Sequence, residues 1–214
     1  MVHQKNYIVI EGSIGVGKTT LARRLAKDLS ASALLEQVDD NPFLQHFYSS
    51  PERMGFPTQL HFLMDRIDQL DRLSQEDFKT SRIVADYLLA KDHLFASLNL
   101  SEEELDLYRR IYRKVASRVR TPDLVVYLQA PVSVLLDRVT KRGRRFEKPL
   151  DSTYLARIND AYTNFFHYYE ESPLLVVNAA EINFAENDDD YQALFKEIMA
   201  ESTGRRFFNP IPNG

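Results

Sequence analysis

The chain has 214 residues, 44% hydrophobic and 27% charged, the balance of a globular protein long enough to bury a substantial core. It has no cysteine, which removes disulfides, zinc thiolates and thiol nucleophiles, and its net charge of −4 argues against nucleic acid as the main ligand. No apolar run reaches the roughly 18 residues of a membrane span and the amino terminus has no apolar leader, so a cytoplasmic enzyme without a membrane partner is the expectation.

Tyr7–Ile10 is a short β-rich run, Gly12 to Thr19 fits GxxxxGK(S/T), and Leu21, Leu25 and Leu29 recur at helical spacing. Strand, glycine loop and helix in this order cradle a polyphosphate. Gly12, Gly15 and Gly17 let backbone N–H groups converge on it with no side chains in the way, and the helix beginning near Lys18 adds unpaired N–H groups. Ser13, Ile14, Val16 and Thr20 complete the ATP-binding loop. Lys18 is placed to reach the β- and γ-phosphates and the Thr19 hydroxyl to ligate Mg²⁺.

Ala33–Val38 reads as a second strand carrying Glu36, a candidate general base, because ligands collect at the carboxyl ends of parallel strands. From Gly55 to Leu73 the pattern is helical, with an apolar stripe through Leu60, Leu63, Ile67, Leu70 and Leu73. Gln59, Phe62 and Arg66 share a face beside that stripe; the amide and ring suit a nucleobase, and ordinary helix packing is the alternative. Arg82–Asp86 reads as a third strand, again ending in a carboxylate.

Ser101 and Glu104 form a capping box before a helix carrying Leu105, Tyr108, Ile111, Tyr112, Val115 and Val119, about five turns. This helix and the earlier stripe could build either an internal helical layer or a dimer interface. Asp123–Leu128 is a fourth, doubly buried strand, followed by a helix from Pro131 to Gly143. The basic cluster Arg142, Arg144, Arg145, with Glu147 after it, is read as a lid over about 141–150. An aromatic helix from Tyr154 to Tyr169 supplies core, Leu174–Asn178 is the fifth strand, and a last helix runs around Tyr191–Met199. Phe184, in the loop between, is a candidate to stack on the adenine of ATP. Residues 1–202 read as one domain and 203–214 as an extended or mobile tail.

With these residues in view, the chain resembles the deoxyribonucleoside kinase family, in its bacterial deoxyadenosine/deoxyguanosine kinase branch. The resemblance runs from Ile8 to about Met199 and rests on GSIGVGKTT, EQVDDNPFLQHFY, the Gln59 to Arg66 spacing and the lid pattern RxxxRGRxxE. It implies an α/β P-loop kinase fold with a five-stranded parallel sheet, an arginine-rich lid and a homodimer formed through the long amphipathic helices. It implies phosphorylation of a deoxyribonucleoside, with a purine preference, at the expense of ATP and Mg²⁺. Glu36 falls on the catalytic glutamate, Tyr48 and Glu147 on the pair at the sugar 3′-hydroxyl, and Gln59 and Arg66 on the base-reading residues. Arg138, Arg142 and Arg144 fall on the lid arginines, Asp86 on an acid that serves Mg²⁺, and Asp92 on an acid near the base. One departure stands out. Where the family carries arginine after the third-strand acid, this chain has Tyr87, and Arg82 or a lid arginine is the candidate replacement. A monophosphate kinase similar to thymidylate kinase and a non-catalytic kinase-like subunit are the competing readings.

Overall fold

A computed structural model describes residues 5–75, 81–116, 120–201 and 203–210. In chain order the elements are β1 (Tyr7–Gly12), α1 (Lys18–Asp28), β2 (Ser32–Leu34), α2 (Leu44–Phe47), α3 (Pro51–Gln75), β3 (Ile83–Ala85), α4 (Lys91–Asn99) and α5 (Glu102–Val115). Then follow β4 (Leu124–Gln129), α6 (Val132–Arg142), α7 (Ser152–His167), β5 (Leu174–Asn178), α8 (Asp188–Met199) and β6 (Arg205–Phe208), with short 3₁₀ turns at Val38–Asp40 and Arg145–Glu147. The strands form one parallel sheet in the order β2-β3-β1-β4-β5-β6.

Alternation along the strands splits the core in two. Ile8, Ile10, Val126 and Val177 face α1, α6 and α8, where Leu21, Leu135 and Leu194 are buried. Tyr7, Val9, Val125 and Val176 face α3, α5 and α7, where Leu63, Tyr108 and Phe166 are buried. Parallel strands covered on both sides need near-continuous apolar runs, and β1, β4 and β5 have them.

The sheet has six strands, not the expected five. Residues 205–208, read from the sequence as part of an extended or mobile tail, form the sixth strand, hydrogen-bonded beside β5. Their RRFF sequence lacks a buried face, Phe207 being 72% exposed, so no apolar run marks the strand. Of the α3 stripe, Leu63, Ile67 and Leu70 are buried; α5 packs against the same cluster with Tyr108 buried and Ile111 and Tyr112 partly so. The capping box of α5 forms with both hydrogen bonds, Glu104 N to Ser101 Oγ and Ser101 N to Glu104 Oε2. Val119 lies outside the described residues, within which α5 ends at Val115. Among the described residues no helix is long and apolar enough to cross a membrane.

Candidate active site

The carboxyl edge of the sheet opens into a cavity of about 730 Å³ at the switch between β1 and β3, bounded by the glycine loop, α3, α4 and the 144–147 segment. The loop is shaped by its glycines. Gly12 has φ 147° and a Cβ there would lie 2.4 Å from the Leu128 carbonyl oxygen; Gly17, at φ 106°, would press a Cβ to 2.9 Å from the Phe184 ring. Gly17 is also the residue from which α1 starts, leaving the first N–H groups of that helix without intrahelical partners. The Lys18 ammonium lies on the loop itself, donating to the carbonyls of Gly12 at 2.8 Å and Ser13 at 3.2 Å. Burial, then the nearby Lys91, lowers its pKa.

Glu36 lies two residues beyond β2 and points into the cavity beside Lys18 and Thr19. Its backbone N–H donates to Asp86 Oδ1 at 2.7 Å, and Asp86 Oδ2 accepts the Thr19 hydroxyl at 2.5 Å. Desolvation raises the Asp86 pKa. The Glu36 carboxylate is paired with Arg66 and lies 3.3 Å from Lys91 Nζ. Burial alone would push its carboxyl up, but Lys91, then Arg66 and Lys18, outweigh that and hold it well below the usual carboxylate range.

Arg66 bridges outward from Glu36 to Asp92, whose carboxyl burial pushes up to about 6. Asp92 is 1% exposed and sits behind Arg66 without lining the cavity, so its direct contact with the lining is made to that guanidinium. Gln59 and Phe62 line the cavity on the same face of α3, as their spacing requires. At the other end, Tyr48 closes α2 with its ring edge-on to Phe47 and Tyr154. Glu147 faces the same cavity, gripped by Arg142 at 2.5 and 3.2 Å, while Arg144 lies 3.5 Å from Asp39 across the opening.

A second cavity, about 350 Å³, opens on the far side of the glycine loop between Arg138, Asn183 and Phe184. Arg138 spans the Val16 and Ala179 carbonyls at 3.1 and 2.9 Å, bracing the loop. Phe184 is 4% exposed; most of its ring is core beneath Gly17, so the face available to a base is small.

Neither suggested replacement for the missing arginine takes that place. Arg82 stands before β3, at the amino end of the strand, and of the lid arginines Arg142 pairs with Glu147, Arg144 lies against Asp39 and Arg138 meets two backbone carbonyls. Tyr87 is fully buried, its hydroxyl donating to Gln69 Oε1 at 3.2 Å and its ring 5.6 Å from the Arg66 guanidinium. The cations on Glu36 are Arg66 and Lys91. The sequence reading missed Lys91, and also Glu11, a carboxylate inside the apolar run YIVIEG. A charge at a doubly buried strand position demands a partner elsewhere in the chain, and that demand was the available signal.

A parallel α/β sheet with a glycine loop opening a helix, and a carboxylate facing that loop across one cavity beneath an arginine-bearing segment, defines the chain as a kinase. The deoxynucleoside kinase family profile matches residues 8–202, and the chain belongs to that family, as an enzyme of the deoxynucleoside kinase type. It is 33% identical over 197 residues to the deoxyguanosine kinase of Bacillus subtilis (strain 168), covering 90% of this chain and 95% of that protein. It is 32% identical over 210 residues to the deoxyadenosine kinase of Dictyostelium discoideum, covering 96% and 82%. In fold it matches the M. mycoides deoxyadenosine kinase with bound dATP at a TM-score of 0.78 and 24% identity, over 89% of this chain and 98% of that one.

Proposed function

We propose that the protein transfers the γ-phosphoryl group of ATP to the 5′-hydroxyl of a purine deoxyribonucleoside, giving the 5′-monophosphate and ADP. The observation that carries this reading is the meeting of Glu36 with Lys18 and Thr19 in one cavity that also holds Gln59, Tyr48 and Glu147. The purine assignment draws on the relatives, a deoxyguanosine kinase and a deoxyadenosine kinase.

Glu36 accepts the proton of the 5′-hydroxyl as it attacks. A carboxylate held so far below its usual range is a weak base, so its first task is to orient the hydroxyl, and proton transfer completes as the new P–O bond forms. Lys18, the loop N–H groups and Arg138, Arg142 and Arg144 offset the charge spread over the transferring group. For that, Arg142 and Arg144 exchange their carboxylate partners for phosphate oxygens, and Arg138 acts from its place on the Val16 and Ala179 carbonyls, behind the glycine loop. Tyr48 and Glu147 hold the sugar 3′-hydroxyl, Gln59 pairs with the purine edge, and Arg66, backed by Asp92, closes the base end.

The residues fit Mg²⁺. Thr19 and Asp86 present hard oxygen ligands in mutual contact, and among the described residues no group of three His, Asp or Glu side chains forms an all-protein cage. Bound there with the phosphates and water, the ion would neutralise charge on the β- and γ-phosphoryl oxygens. A cytoplasmic location and a homodimer through α3 and α5 belong to the same reading; Met64 and Leu107, 41% and 43% exposed, stand on those helices.

The test is ATP consumption by the purified protein with Mg²⁺ against deoxyadenosine, deoxyguanosine, deoxycytidine, thymidine and their monophosphates. Turnover with purine deoxynucleosides is expected. Turnover with monophosphates alone would replace the reading with monophosphate kinase chemistry, and ATP binding without turnover would make the chain a non-catalytic member.

A further inference from the structure

Lys91, the first residue of α4, is 2% exposed, and its Nζ lies between Glu36 (3.3 Å to Oε1) and Glu11 (3.5 Å to Oε1). Burying an ammonium costs several kcal/mol unless it is well paired, and a cation in a first helical turn also opposes the helix dipole. Apolar residues replacing Lys91 and Glu11 together would often fold at no greater cost, so the buried pair points to something other than stability.

Glu11 explains how the cation is held. It is fully buried, at the end of β1, and accepts from Gly12 N–H at 2.8 Å, Leu88 N–H at 2.9 Å and the Tyr162 hydroxyl at 2.9 Å. Three donors from three parts of the chain fix both of its oxygens. Glu11 does not line the cavity, whereas Lys91 and Glu36 do. Glu36 itself stands beyond the end of β2, where its backbone N–H to Asp86 leaves the side-chain direction free. That direction is set by Arg66, shared with Asp92 on the base side, and by Lys91, shared with Glu11 and through it with the first residue of the glycine loop.

We propose that Lys91 is a positioning residue for phosphoryl transfer and Glu11 its anchor: together they register the Glu36 carboxylate on the glycine loop, and so align the acceptor hydroxyl with the donor phosphate. The proposal rests on the reaction described above.

Lys91→Met, Lys91→Arg, Glu11→Gln and the Glu11→Gln/Lys91→Met double variant test it, each assayed for kcat and both KM values well below its unfolding midpoint. Misplacing a reacting group by about 1 Å costs roughly 100-fold, and Lys91→Met is expected to lose kcat on that scale with both KM values little changed. Lys91→Arg is expected to restore much of the loss, and Glu11→Gln to lower kcat in the same direction although it cannot touch substrate. Glu11→Gln can keep one oxygen for the Gly12 and Tyr162 donors, which share Oε2, and loses the charge that faces Lys91. On the proposal its effect on Glu36 then runs through Lys91, and the double variant should be no slower than Lys91→Met alone. Wild-type kcat in Lys91→Met, KM effects matching the kcat effects, or losses that multiply in the double variant would each overturn the proposal. If Lys91→Met does not fold, Lys91→Gln takes its place in the cycle, and Glu11→Gln at wild-type kcat is decisive alone. A wild-type protein inert towards every deoxynucleoside would instead remove the underlying reaction.

Discussion

Thr19 donates its hydroxyl hydrogen to Asp86 Oδ2 at 2.5 Å, tying the first turn of α1 to the end of β3, while the other Asp86 oxygen accepts the Glu36 backbone N–H. One carboxylate thus joins the proposed metal ligand to the proposed base. Asp86→Asn keeps an oxygen for Glu36 but gives the metal a neutral ligand. The Mg²⁺ concentration for half-maximal activity is expected to rise roughly 10- to 100-fold, the scale of losing an oriented partner at a metal site. A Mg²⁺ titration at saturating ATP measures it, and an unmoved midpoint would exclude Asp86 from metal binding.

Glu36→Gln preserves shape and removes the charge. Turnover should fall by about 10²- to 10⁴-fold, the contribution of a positioned base, with ATP affinity by calorimetry unchanged. Equal turnover in the variant and the wild type would take Glu36 out of the mechanism.

Gln59 is 5% exposed and lines the cavity from α3. Gln59→Ala should raise the deoxynucleoside KM by about 5- to 150-fold, the equivalent of the roughly 1–3 kcal/mol of a bidentate contact to a base edge, and leave the ATP KM alone. Steady-state kinetics with each substrate varied in turn separate the two; equal increases would refute base reading.

Gly17→Ala meets two obstacles, a φ of 106° and the Phe184 ring 2.9 Å from the new Cβ. The expected loss is about 1–3 kcal/mol in denaturant unfolding, together with a raised ATP KM. Phe184→Leu in the same chain removes part of the clash, so the two changes together should cost less than their sum.

Asp92 carries a carboxyl pushed up to about 6 from 3.8 by burial, against the opposing pull of Arg66 and Lys91. Below about pH 4 the folded and unfolded chains both hold this proton. Between about 4 and 6 the unfolded chain releases it first, so this group lowers stability as pH rises, by about 3 kcal/mol in total, and the deficit is complete above about 6. Asp92→Asn removes that slope. Unfolding midpoints at pH 4, 5, 6 and 7 should show the wild type losing ground to the variant across the window; parallel curves would mean Asp92 is not perturbed.

The parts of the site that could be read from the sequence are those whose cause is local. Glycine spacing followed by a leucine period gave the β1–loop–α1 unit, and the capping box at Ser101 and Glu104 formed as written. Position along a parallel strand placed Glu36 and Asp86 at the carboxyl edge. What stayed hidden depends on pairings far apart in the chain. The Lys91–Glu11 contact joins α4 to β1 across 80 positions, and nothing in either neighbourhood names the other. Arg138 reads as a lid arginine in its motif, yet its guanidinium meets two backbone carbonyls, which have no sequence signature. The strand at 205–208 escaped because it lies at a sheet edge with neither face buried, and hydrogen bonds to β5 define it where apolar alternation does not.

The bridge from Asp92 through Arg66 to Glu36 has a kinetic meaning. A single guanidinium touches both Glu36, the proposed base, and Asp92, behind the end of the cavity proposed to hold the nucleobase. A nucleobase that draws Arg66 towards itself, or pushes it away, changes the grip on Glu36 in the same movement. On the proposed assignment, discrimination among bases therefore acts in turnover as well as in binding: a nucleoside whose base disturbs Arg66 is phosphorylated more slowly than its affinity alone would give.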